Sequence, residues 1–234
     1  MPDLVCCPAP IGLDKQAREV RASWHVRAPS FRITDPEGLR ALASQLRFAI
    51  LVVNGEEGPV AAHLPLVFEG EALIGHLARA TPLARLLVPG LPALAVFVGP
   101  SAHVTPSWYA SKGEHGKVVP TWNYLAVQAR GMLTPVTEGE ALHAIVRRLT
   151  EVQEAGRDTP WAVEDAPADF IAGMMKAIVG FRMAVAVLEG RAKLSQNRPE
   201  ADREGVRAGL AAAEEPAARR LASLISRQAW RRFP

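Results

Sequence analysis

The sequence predicts an α+β fold, an antiparallel β-barrel with helices packed outside it. Two observations carry this. Apolar, strand-like runs follow one another with only short turns between them, and the helical patterns come late instead of alternating with the strands. Its 234 residues, 49% hydrophobic and 22% charged, suffice for one substantial core.

Residues 1–28 mix Pro2, Pro8, Pro10 and Gly12 with alternating charges and no clean period, so a flexible extension is expected there. Asp35-Pro36-Glu37 then supplies an N-cap, a proline for the first helical position and an acid in the first turn, which predicts a helix to about Leu46. From Phe48 the runs FAILVV, VAAHLPLVF and ALIGHL are bounded by strong turn formers and read as a β-meander. Thr81-Pro82 opens a short helix through Leu87, and ALAVFV is a strand ending at Gly99-Pro100. Residues 118–133 form a long bent strand, and Thr137-x-x-Glu140 is a capping box leading a helix to about Val152. A helix over 168–177 and a last strand over 178–188 follow. The domain is placed at 29–213, with a basic C-terminal helix over 214–234.

The balance of 27 Lys and Arg against 24 Asp and Glu gives a net charge of +3, a thin electrostatic basis for nucleic acid, and no helix-turn-helix is recognisable. Direct DNA binding is therefore not expected. Cys6 and Cys7 are adjacent, which rules out a disulfide framework and fits a reducing compartment. No run reaches the roughly 18 apolar residues of a membrane span, so no membrane association and a cytoplasmic location are expected.

Three of the six histidines, His63, His76 and His103, fall in predicted strands. A neutral imidazole on an apolar strand can ligate a metal or haem iron or stand beside a planar cofactor, while a single one is more often a hydrogen-bonded core residue. Arg79 precedes Thr81 at a helix N-terminus, where a phosphate or carboxylate is favoured; an ordinary cap beside a surface arginine is the plainer reading. Residues 99–124 concentrate Trp108, Tyr109, Trp122 and Tyr124 among Ser, Thr, Asn and Lys, as either a ligand pocket or a subunit interface would. KLSQNR places Lys193, Ser195 and Arg198 together, to meet an anion or to cap the next helix. No Gly-rich phosphate loop and no Ser-His-Asp or Cys-His arrangement is present.

Read together, HLPL (63–66), GHLARATP (75–82), FVGPSAHVTPSWYASKGEHGKVVPTWNYLAV (97–127), EDAPADFI, KAIVGF, KLSQNR and ADREGV resemble the PaiB family, described as FMN-binding negative transcriptional regulators. The resemblance implies a split β-barrel like that of pyridoxamine-phosphate-oxidase-like flavoproteins. It also implies a homodimer with cofactor sites at the subunit boundary. Some proteins similar to this family are haem-dependent piperazate synthases, which cyclise N5-hydroxy-L-ornithine by forming an N–N bond. That branch implies haem b ligated through His63 or another of the strand histidines, with FMN the alternative, and a small amino-acid-like substrate. His63, His103 and Lys117 would then serve catalysis, while His76, Arg79, Trp108, Trp122, Lys193, Ser195 and Arg198 would line the cofactor. This chain departs from the family pattern at His103, where Tyr is usual, and at Gln128 and Arg130, where AVHAYG is usual.

Overall fold

The structure is a computed structural model describing residues 29–137 and 139–227, so the expected extension over 1–28, with Cys6 and Cys7, lies outside the described residues. The fold from Phe31 onward is one compact unit.

Local chemistry starts the first helix where it was expected. The Asp35 carboxylate accepts hydrogen bonds from the backbone N–H groups of Glu37 and Gly38 at 3.1 and 3.0 Å, and α1 (Pro36–Leu46) turns Leu39 and Leu42 into the core. The described residues form eight strands: β1 (Arg32–Ile33), β2 (Phe48–Gly55), β3 (Gly58–Pro65), β4 (Val67–Glu69), β5 (Ala72–Ala78), β6 (Leu91–Val104), β7 (Thr121–Val136) and β8 (Ile178–Lys193). All pair antiparallel in the order β3-β2-β6-β7-β8-β5-β4, with β1 added to β8.

The two ends of that order, β3 and β4, are joined through Leu66 alone. The sheet must therefore curl until its ends meet, which makes it an antiparallel split β-barrel with peripheral helices. Bends in the long strands make the curl possible: β6 carries an extra residue between Val98 and Ser101, and β8 carries one, Ala186, opposite the Arg130–Gly131 step of β7. At Gly131 a Cβ would stand 2.0 Å from the Ala184 carbonyl oxygen, so only glycine fits opposite the bulge.

The interior is closed by Leu51, Leu66, Leu73, Phe97, Leu125, Leu133, Phe181 and Met183. Outside it, α4 (Gly139–Glu154) lays Ile145 and Leu149 against Ile74 and Val67. At the end of the chain, α6 (Glu200–Ala212) and α7 (Pro216–Arg227) bury Val206, Leu210 and Leu221 in the main core. Three short helices complete the set, α2 (Pro82–Leu86), α3 (Ser111–His115) and α5 (Ala168–Lys176).

Two strands run further than expected. β6 passes through Gly99-Pro100 because the bulge absorbs the irregularity, and β8 continues to Lys193. In that extension the charged Glu189 and Arg191 alternate with Gly190 and Ala192, which fit against the core.

Candidate functional site

Alternation along β2, β3, β6, β7 and β8 sends Ala49, Leu51, Ala95, Phe97, Val127 and Ala129 inward and sets the intervening residues on the outer surface. The register aligns His63, Ile50, Val96, Gln128 and Glu189 in one row across that surface. No helix among the described residues covers it fully: Phe48 is 60% exposed, Val98 56% and Trp122 55%. A polar trio lies in this apolar field. Arg130 donates to Glu189 at 2.7 Å and to the Gln128 side-chain oxygen at 3.0 Å, so the two departures from the family pattern on β7 are bonded to each other through the Arg130 guanidinium, which also holds the Glu189 carboxylate.

His63 stands on edge strand β3 with its ring exposed, and it has no hydrogen-bond partner among the described residues. At the other end of the face, His103 and Trp122 are directly opposed on β6 and β7, with rings 6.1 Å apart and edge-to-face. Tyr124 and Lys193 are likewise opposed, Arg191 reaches the Tyr124 hydroxyl at 3.5 Å, and the Lys193 ammonium bonds the Thr121 hydroxyl.

Behind this end lie buried polar groups that brace it. Ser195 holds a left-handed backbone, φ 61°, and its hydroxyl accepts from the buried Asn123 amide at 3.0 Å. The Gln196 side chain closes the turn onto the Leu194 N–H and the Ala192 carbonyl. Asp202, on α6, accepts from the Ser111 N–H at 2.9 Å and its hydroxyl at 2.8 Å. Burial would push the Asp202 carboxyl up, but the two Ser111 hydrogen bonds and the nearby Arg198 and His115 outweigh it and hold the group below its ordinary value. Burial pushes the Tyr109 phenol up. The Arg198 guanidinium pulls it back from above the ring, 4.7 Å from the centroid, in a geometry too poor for a hydrogen bond.

Other singled-out residues lie elsewhere. Trp108 packs on α6, where a Cβ at Gly209 would meet its ring at 2.3 Å. His76 pairs with Gly180 and sits half-buried, away from the row of His63. Burial lowers its pKa, and its Nδ1 has no partner among the described residues. Arg79 spends its guanidinium on two carbonyls, those of Lys176 at 3.0 Å and Thr137 at 2.7 Å, outside the sheet face. Lys117 is exposed, its backbone N–H bonded to His115 Nδ1. Sequence reasoning passed over Asn123, Ser111, Asp202, Glu189 and Arg191. For the last two the period-2 alternation past Leu188 was a usable signal.

A barrel with one uncovered face of aromatics, cations and an unpartnered imidazole has the form of a ligand-binding split barrel. The chain matches the family model described as "Putative FMN-binding domain" over residues 26–187, and it belongs to that family. It is 31% identical over 199 residues to Protease synthase and sporulation protein PAI 2 of Bacillus subtilis, covering 83% of this chain and 93% of that protein. In structure it is similar to the FAD and Heme binding protein of Mycobacterium smegmatis, with a TM-score of 0.55 and 18% identity over 76% of this chain and 80% of that one. It is also similar to the flavocytochrome Anf3 of Azotobacter vinelandii, with a TM-score of 0.51 and 13% identity over 69% of each. Among the described residues no cluster of three His, Cys, Asp or Glu could hold a bare metal ion, and no helix is long and apolar enough to cross a membrane.

Proposed function

We propose that this protein is a haem-dependent enzyme that cyclises N5-hydroxy-L-ornithine to piperazate, with the cofactor held by His63 on the uncovered sheet face of a cytoplasmic homodimer. The observation that carries the reading is His63 itself. It is an exposed imidazole in register with the apolar Ile50 and Val96, without a partner among the described residues, whereas His76 is half-buried on β5 and His103 is opposed to Trp122. Such a nitrogen would hold the haem iron. The names of the mycobacterial protein and the flavocytochrome attach haem and flavin to this same fold.

When bound, haem would supply a Lewis acid for the hydroxylamine oxygen. The chain's own residues supply the rest. Arg191 and Lys193 hold a carboxylate of substrate or cofactor, and Trp122 and Tyr124 wall the site against water. The proton that the α-amine gives up goes to the departing hydroxyl. The α-amine nitrogen bonds to N5, the N5–O bond breaks and the hydroxyl leaves as water, so no oxidant is consumed.

The family model favours FMN as a second reading, with Arg191 and Lys193 on the phosphate and Trp122 beside the ring system. Purified protein distinguishes the two. A Soret band that His63→Ala abolishes, with conversion of N5-hydroxy-L-ornithine to a product lighter by one water, supports the enzyme. A yellow protein that releases FMN, takes up no added haem and leaves the substrate intact refutes it.

A further inference from the structure

A second site lies away from the sheet face, where α4 and α5 approach without closing on each other. Between them is a cleft of ≈ 810 Å³, walled by Leu142 of α4, Ile171 and Met175 of α5, and Val163 of the connection. That size falls in the range of small-molecule pockets. Helix α5 is unusual beside it. Its sequence, ADFIAGMMK, is largely apolar, yet none of its residues is buried. An apolar helix normally buries one face, and Ile171 and Met175, one turn apart, line the cleft.

Two cations, Lys176 and Arg79, are among the polar groups of the cleft. Lys176 lines it with its ammonium unpartnered among the described residues, and Arg79, with two guanidinium nitrogens fixed on carbonyls, lines it as well. His143 Nδ1 accepts from Arg147, which leaves the Nε2–H as a donor. Among the described residues the wall has one carboxylate, Glu164, and it is paired with Arg147 at 2.7 Å. A second small cavity, of ≈ 190 Å³, shares Arg79 and Thr137 with the first and lies beyond the Arg79–Thr137 hydrogen bond.

We propose that this cleft binds an amphipathic monocarboxylate, a medium-chain aliphatic acid whose tail completes the core beneath α5 and whose carboxylate meets Lys176 and Arg79. The charge fits one anion and the walls fit an aliphatic chain. Neither feature belongs to the sheet face, so the proposal stands or falls independently of the cofactor.

The test is a titration of full-length protein carrying 13C-methyl methionine with sodium decanoate, followed by NMR. Met175 lines the cleft, while Met132 on the sheet face and Met183 in the barrel core serve as internal controls. The expected result is a saturable shift of the Met175 methyl with Met132 and Met183 unmoved. Lys176→Gln should weaken binding about threefold, the size of one partly exposed ion pair. Ala172→Trp, at an exposed cleft position, should abolish the shift while the Met183 signal reports an intact core. 1-Decanol, the neutral analogue, should bind more weakly than decanoate. The proposal is overturned by a Met175 signal that does not saturate, by equal binding of decanol and decanoate, or by a shift confined to Met132. Concentration-dependent shifts of Met174 and Met175 without ligand would also overturn it, since another copy of the chain would then cover α5.

Discussion

Replacing Asp202 by alanine should destabilise the protein by about 3 kcal/mol, because two donors of Ser111 would be left in a site that water does not reach. The carboxylate is 1% exposed and accepts the Ser111 N–H at 2.9 Å and hydroxyl at 2.8 Å, tying the segment after Tyr109 to α6. Hydrogen bonds to a charged acceptor contribute about 1.5–3 kcal/mol each, partly offset by the cost of burying the charge. Asp202→Asn keeps an acceptor for the N–H and should lose only about 1 kcal/mol. Urea unfolding at neutral pH, followed by tryptophan fluorescence, measures both, with m unchanged. The pH dependence has a definite sign. The folded carboxyl lies below its ordinary 3.8, so its contribution is full above that value and is lost as pH falls through the folded value. The gap between wild type and Asp202→Asn should therefore narrow only in acid. An Asp202→Ala variant within about 0.5 kcal/mol of wild type would refute the reasoning, as would additivity with Ser111→Ala.

At Gly205 a Cβ would stand 1.9 Å from the Trp108 carbonyl oxygen, and at Gly209 2.3 Å from the indole ring. Backbone yields less than a ring, so Gly205→Ala should lower the melting temperature more than Gly209→Ala, each costing about 1–3 kcal/mol or more. His76→Leu should flatten the pH dependence of stability below 6.5: burial lowers the folded pKa, so the unfolded state binds the extra proton first and wild-type stability falls as pH drops from 6.5 through the folded value. Unfolding curves across that window check it, and a slope that survives in the variant contradicts it. Trp122→Ala should leave the unfolding free energy of the monomer within about 0.5 kcal/mol of wild type, since the ring is 55% exposed, yet weaken cofactor uptake measured by absorbance.

The difference between what was legible and what was not follows sequence distance. Asp35 caps α1 through atoms two and three residues away, and Thr81 caps α2 through the Ala84 N–H, so both helix starts could be read directly. The helix N-terminus after Arg79 was equally legible. Its guanidinium, however, is held by carbonyls 58 and 97 residues further on, which no local pattern announces. Ser111 and Asp202 meet across 91 residues and Asn123 and Ser195 across 72, and nothing in either segment alone marks them as partners. The β-meander was readable from its turns, but the row that aligns His63 with Gln128 and Glu189 depends on the register of four successive ladders, and a slip in any one would move the members beyond it to the other face.

That register also explains why the polar trio sits where it does. An ion pair on an apolar surface gains little stability once both charges lose water, and breaking it by removing one partner costs more than it ever contributed. Arg130 and Glu189 are already only about a third exposed, at 27% and 31% of their side chains, with Phe48, Val98 and Met132 uncovered on the same outer surface. Covering that surface with a cofactor or a second copy would finish desolvating the pair. Its physical value then lies in selection: only an occupant that supplies a matching polar group to the Gln128 amide and the Glu189 carboxylate can close on the face without stranding a charge. A relative with different residues at these β7 positions presents a different demand, which makes Gln128 and Arg130 the natural place for members of one family to diverge in what they accept.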